Sequence, residues 1–309
     1  MQTTLKSPVT VSGIGLHSGA AARVSLRPAA PGAGIMFRRT DVENAAATIP
    51  ALWDRVIISP LNTRVVNEAG VYVSTIEHLM AALAGTGVTN AMVEIDGPEV
   101  PILDGSAAPW VRAILAAGRQ GQGAPLEAIE ILRPVEVREG SVSARLEPAR
   151  GTEMSFAIDF PDPAIGRQRK KLSLANGAFL RELCDSRTFC RAADVEAMRA
   201  RGLALGGTYL NAVVVDGARV LTPGGLRHPD EAVRHKMLDA LGDLYTAGAP
   251  ILGRYRGVRA GHAMTNRLLR ALFAQTDSWR RVTCDAAMLA RLPGADLGDA
   301  ALADLPAVA

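Results

Sequence analysis

The chain of 309 residues exceeds one comfortable hydrophobic core, and its length predicts two domains of similar size. Hydrophobic residues at 48% and charged residues at 21% describe an ordinary globular protein, with aromatics sparse at 4%. A net charge of +3, from 34 basic and 31 acidic residues mixed along the chain, gives no nucleic-acid-binding stripe. No stretch approaches the roughly 20 apolar residues of a membrane helix, and the N-terminal residues show no apolar signal core after the first basic residue. Cys184, Cys190 and Cys284 form no C-x-x-C pair, so a reducing, cytoplasmic setting is expected.

Residues 2–39 alternate as strands, with turns expected at Ser12-Gly13, Ser18-Gly19 and Pro31-Gly32 that suit hairpins. Helical spacing follows over 75–84, a strand over 91–95, and a second helix over 107–117. The Gly- and Gln-rich run 117–125 reads as a linker. That places an N-terminal domain at 1–120 and a C-terminal one at 126–275. In the second half, strands are expected over 128–132, 135–138, 142–146 and 154–160, and helices over 193–201, 230–247 and 262–274. The basic run 167–171 reads as a solvated edge strand or loop, and 276–309 as a C-terminal extension, either a short helix or loosely held. Strands do not alternate regularly with helices, which argues against a doubly wound parallel sheet.

Two short patterns carry chemistry. His235 and Asp239 are four apart on a predicted helix and so share a face, with Asp243 one turn further. Glu77-His78 opens another apolar helix, where a buried glutamate needs a partner. His78 and His235 each precede a Met by two positions and a Gly by seven, a weak internal echo. Two histidines and an aspartate make a ligand set with an open position, in which Glu77 is a candidate general base. His262, after Gly261 at the head of the last long helix, is a candidate acid that Asp243 would keep charged. Thr188 is placed either to donate to an oxyanion or to cap a turn, and His17 sits in a glycine-rich turn. The same ligand set also occurs in non-haem iron oxygenases, usually on a β-barrel. A helical ligand pair beside a base and an acid favours hydrolysis.

Taken together, the motifs resemble the UDP-3-O-acyl-N-acetylglucosamine deacetylases, zinc amidases of lipid A synthesis in Gram-negative bacteria. The resemblance runs through Gly13-Ile-Gly-Leu-His-Ser-Gly19, Ser74-Thr-Ile-Glu-His-Leu79, Glu99-Val-Pro-Ile-Leu-Asp-Gly-Ser-Ala-Ala-Pro109, Ser186-Arg-Thr-Phe189, Gly206-Gly207, His235-Lys-Met-Leu-Asp-Ala-Leu-Gly-Asp243 and Gly261-His262. It implies an α+β fold of two domains, each a sheet layered against helices, with the helices of the two domains facing each other.

By resemblance, His78, His235 and Asp239 would bind Zn²⁺, with Fe²⁺ as the other candidate. Glu77 would be the base, His262 the acid paired with Asp243, and Thr188 the oxyanion donor. Lys236, the pair Asp159 and Phe160, and His17 would contact the sugar nucleotide. Phe189, Val195, Ala204, Thr208, Ala212 and Val214 would line an acyl channel. Arg191 stands where many relatives carry an aromatic, and Asn62 where some carry a cysteine. The implied partner is the UDP-sugar substrate, with no nucleic acid and no stable membrane insertion, and the protein is expected to be a monomer.

Overall fold

A computed structural model describes residues 1–43, 47–59, 61–295, 297 and 305. Its helices are α1 (Glu77–Thr86), α2 (Ala108–Ala117), α3 (Ala178–Glu182), α4 (Ala192–Ala200), α5 (Glu231–Tyr245), α6 (His262–Ala274) and α7 (Ala286–Leu289). They combine with several sheets into an α+β architecture.

The first sheet runs Val9–Ile14, Ala21–Pro28, Ala91–Ile95, Ile35–Arg39, Thr48–Pro50. Ser18-Gly19 closes the hairpin between its first two strands, Ile14 pairing with Ala21. One expected turn is absent, and another, Pro31-Gly32, is a turn but not a hairpin. Ser12-Gly13 lies inside the first strand, and the strands flanking Pro31-Gly32 are not partners, because Ala91–Ile95 inserts between them. That strand alternates buried and half-buried residues, and it pairs parallel to Ile35–Arg39 and antiparallel to Ala21–Pro28.

The second sheet is seven-stranded and centres on Ile251–Val258, which the sequence reading passed over. This strand pairs with Val142–Glu147 on one side and runs parallel to Thr152–Asp159 on the other. The basic run is the strand Arg167–Ser173, paired only with Thr152–Asp159, and Arg167, Arg169 and Lys171 face solvent from its outer side. Charge on an open edge discourages pairing with other chains.

Two expectations are corrected. Within the linker, Arg119–Gly121 pairs antiparallel with Thr3–Leu5, so the junction is strapped to the N-terminal strand. The extension is not loosely held at its start: Trp279–Thr283 pairs with Glu127–Ile131 over five residues, which satisfies backbone groups that a loose tail would leave to solvent, and the expected short helix follows as α7. Of the expected extension beyond 295, all but 297 and 305 lies outside the described residues.

Between the sheets lie the helices. α1 and α5 pack face to face, α2 lies on α1 and on the strand Val9–Ile14, and α6 lies on α5 and against the strands Val135–Glu139 and Val142–Glu147. Every residue of α1 is buried, and its lack of a polar face is what a helix with neighbours all round requires. Contact between α1 and α5 depends on Gly242, where a Cβ would fall 2.0 Å from the Glu77 carbonyl oxygen. None of the described helices is long and apolar enough to cross a membrane.

Candidate active site

The helical spacing read from the sequence puts His235 and Asp239 on one face of α5, and the packing of α1 on α5 brings His78 to them. Asp239 Oδ1 lies 3.2 Å from His235 Nε2 and 3.5 Å from His78 Nε2. The imidazoles stand edge to face, 5.0 Å between centroids. All three side chains are buried, with one donor atom of each within 4.8 Å of the others.

His235 Nδ1 is 3.0 Å from the Ser186 carbonyl, so it carries the proton and leaves the Nε2 lone pair facing Asp239. Burial, against the pull of Asp239, lowers the His235 pKa to about 4 and keeps the ring neutral. Burial would raise Asp239, but His235, Lys236 and His78 outweigh it and hold it well below the usual carboxylate range. Even so, Asp239 Oδ1 is buried and receives no hydrogen bond. An orphaned carboxylate oxygen between two imidazoles fits a divalent cation, and two histidines with one carboxylate leave a coordination position open.

Glu77, the first residue of α1, is 4% exposed, and burial raises its pKa. One of its oxygens accepts from Thr63 N at 3.0 Å, and the other lies 3.9 Å from His262 Nε2. His262 opens α6, with Nδ1 at 2.9 and 3.1 Å from the two oxygens of Asp243. Burial alone would lower His262, but Asp243 and Glu77 overcome it and lift the pKa to about 9.

Two residues before Glu77, Thr75 holds a φ of 57°, a conformation that a β-branched residue seldom adopts. A clamp sustains it. Thr75 Oγ1 accepts from Asn62 Nδ2 at 3.0 Å and donates to Glu99 Oε1 at 2.9 Å. Glu99 also accepts from His17 N at 2.8 Å and Ser18 N at 2.7 Å, tying the glycine-rich turn to the head of α1. Asn62 therefore directs its amide at Thr75.

A cavity of about 390 Å³ opens beside this cluster, lined among others by His17, Phe189, Val195, Ala204, Thr208 and Val214. Thr188 and Ala212 also line it, so it gathers every residue expected along the acyl channel. Both ring nitrogens of His17 are buried without partners, and burial, with Arg64 and His262 adding to it against Glu99, lowers its pKa. Phe189 packs edge-on against Phe160 at 5.2 Å and against His235 at 6.2 Å, linking the cavity to the cluster. Lys236 Nζ donates to Asp239 Oδ2 at 2.8 Å, and that carboxylate holds its pKa up against burial. Asp159 pairs with Arg167 and Arg259 at the end of its strand. Arg191 does not narrow the cavity: its guanidinium turns to Asp162 and Asp194, and Arg191 is absent from the lining. The three cysteines are free thiols.

The sequence reading missed Thr63, the Ser186 carbonyl and the buried pair Arg187–Glu231, 2.9 Å apart near the start of α5. Ser186 and Arg187 lie within the quoted Ser186-Arg-Thr-Phe189 stretch, but their partners, like those of Thr63, are contacts distant in sequence that no local pattern reveals.

Residues 2–274 match the family described as LpxC: UDP-3-O-acyl N-acetylglycosamine deacetylase. A UDP-3-O-acyl-N-acetylglucosamine deacetylase of Phenylobacterium zucineum is 54% identical over 279 residues, covering 90% of this chain and 95% of that protein. One from Shewanella sp. strain ANA-3 is 46% identical over 284 residues, with 91% and 92% covered. Another, from Shewanella oneidensis, is 45% identical over 299 residues, with 95% and 97% covered. With a family match over residues 2–274 and relatives 45–54% identical over nearly its whole length, the chain belongs to the UDP-3-O-acyl-N-acetylglucosamine deacetylase family.

Proposed function

We propose that this protein hydrolyses the acetamide of UDP-3-O-acyl-N-acetylglucosamine, releasing acetate and the free amine, in lipid A biosynthesis. The observation that carries the reading is one convergence. His262 Nε2 lies 3.9 Å from Glu77 and 3.9 Å from Asp239, so a base, an acid and a ligand carboxylate face one small volume.

His78, His235 and Asp239 would hold zinc or ferrous iron; when bound, such an ion supplies a Lewis acid and makes water acidic enough to be deprotonated near neutral pH. Glu77 takes a proton from the attacking water, and burial gives its carboxylate the raised basicity this needs. Thr188 donates to the oxygen of the tetrahedral carbon. His262, charged because its pKa stands at about 9, gives its proton to the departing nitrogen, while Asp243 holds Nδ1. The C–N bond breaks, and acetate and amine separate.

His17, Lys236, Asp159 and Phe160 would bind the sugar nucleotide. The acyl chain would lie in the cavity along Phe189, Val195, Thr208, Ala212 and Val214. All these groups come from one chain, so the proposed site needs no second subunit, and three free thiols suit the cytoplasm. We take the halves as domains meeting at α1 and α5.

The test is acetate release from the UDP-sugar by purified protein. Turnover is expected to disappear after chelation, return with added Zn²⁺, and fall by about 10² to 10⁴ in Glu77→Gln. Full activity in that variant, or after complete metal removal, would overturn the reading.

A further inference from the structure

Thr63 bridges Glu77, assigned as the base, and Asp243, the carboxylate that holds the assigned acid His262. Its hydroxyl donates to Asp243 Oδ1 at 2.6 Å, and its backbone N–H donates to Glu77 Oε2 at 3.0 Å. The residue is 4% exposed, so water does not compete for these bonds. Asp243 Oδ2 is then presented to His262 Nδ1 at 2.9 Å, and Glu77 Oε1 faces His262 Nε2 at 3.9 Å. Thr63 thus holds one oxygen of Glu77 while the other faces the imidazole, and Asp243 Oδ1 is shared between the Thr63 hydroxyl and His262 Nδ1 at 3.1 Å.

The anchor is itself well held. Thr63 leads directly into the strand Arg64–Val66, which pairs with Val56–Ile57 and with Tyr72–Ser74. Its carbonyl accepts from Ile76 N at 3.3 Å, immediately before Glu77. Asp243 and Glu77 belong to different halves of the chain, and Thr63 bonds to both.

We propose that Thr63 is a positioning residue for the deacetylation, setting the orientation of Glu77 through its N–H and of the Asp243–His262 pair through its hydroxyl. This rests on the roles proposed above for Glu77, Asp243 and His262. Misaiming a proton donor by even a fraction of an ångström is costly when proximity supplies much of the rate.

The decisive comparison is Thr63→Val, which keeps the shape and the N–H, against Thr63→Ser, which keeps the hydroxyl. For Thr63→Val, kcat for acetate release is expected to fall roughly ten- to a hundredfold, the value of a hydrogen bond to a buried carboxylate. KM and bound metal should stay at wild-type levels, and Thr63→Ser should recover kcat to within about threefold. In an Asp243→Ala background, Thr63→Val should cost nothing further, since the oxygen it served is gone. If Thr63→Val does not fold, Thr63→Ala is measured in its place, with the same loss expected. Wild-type kcat in these variants, failure of Thr63→Ser to rescue, or equal losses in both backgrounds would overturn the proposal. Failure of the functional reading would look different: no acetate release by the wild-type protein, or full activity in Glu77→Gln.

Discussion

Gly242 lies directly against the carbonyl of Glu77, and a Cβ there would sit 2.0 Å from that oxygen and 3.1 Å from the Ala81 nitrogen. The glycine lets α5 approach the head of α1 closely enough for His78 to reach Asp239. Gly242→Ala is expected to destabilise the protein by about 1–3 kcal/mol through overpacking, because the obstacle is backbone and cannot swing aside. Metal affinity should fall with it, read by calorimetric titration with zinc. Unchanged stability and affinity would mean that the helices separate without consequence.

Glu99 terminates three donors, His17 N, Ser18 N and the Thr75 hydroxyl. Glu99→Ala leaves them without their acceptor and releases the clamp on the strained Thr75. A loss of about 1–3 kcal/mol is expected, chiefly from the buried Thr75 hydroxyl, because the half-buried His17 and exposed Ser18 N–H groups can turn to water. Amide hydrogen exchange should quicken over residues 15–20 before other parts of the fold. Uniform exchange changes would count against a local clamp.

Acid stability should report the Glu231–Arg187 pair. Burial would raise Glu231, but Arg187 and the backbone N–H groups of Arg187 and Arg227 outweigh it, so its folded pKa lies below the usual carboxylate value. A depressed folded pKa contributes stability that is complete above the unfolded value, about 4.3, and is lost as pH falls through the folded value. The wild-type protein should therefore lose stability on acidification more steeply than Glu231→Gln below that pH. Denaturant titrations at stepped pH check this, and parallel curves would remove Glu231 from the account.

The cavity predicts a chain-length effect. Val214→Phe should fill part of the 390 Å³ and shift preference toward shorter acyl groups. Each methylene that no longer fits should cost about 0.8 kcal/mol, or roughly fourfold in kcat/KM. Assays across a graded acyl series test it, and an unchanged preference would place the chain elsewhere.

Much of this site was legible in the sequence because its parts are local. The interval of four between His235 and Asp239 fixes a shared helix face, and Glu77-His78 stands out as a polar pair heading an apolar helix. The helix boundaries over α1, α2, α5 and α6 came within about two residues for the same reason: periodicity is written along the chain.

The strand Ile251–Val258 was passed over although it is the centre of its sheet. Glycines and arginines break its apolar run, and its buried character arises from neighbours distant in sequence. The order around Ala91–Ile95 was equally hidden, since alternation tells which face is buried and not which strand lies alongside.

By itself, then, the sequence determined the family, the long helices and the candidate groups to which the chemistry is assigned. Only the tertiary structure decided that His78 meets His235 and Asp239, that Asp243 serves His262, and that Thr63 ties Glu77 to Asp243. Side-chain type and helical phase are local properties, whereas these distances exist only once α1 and α5 are pressed together.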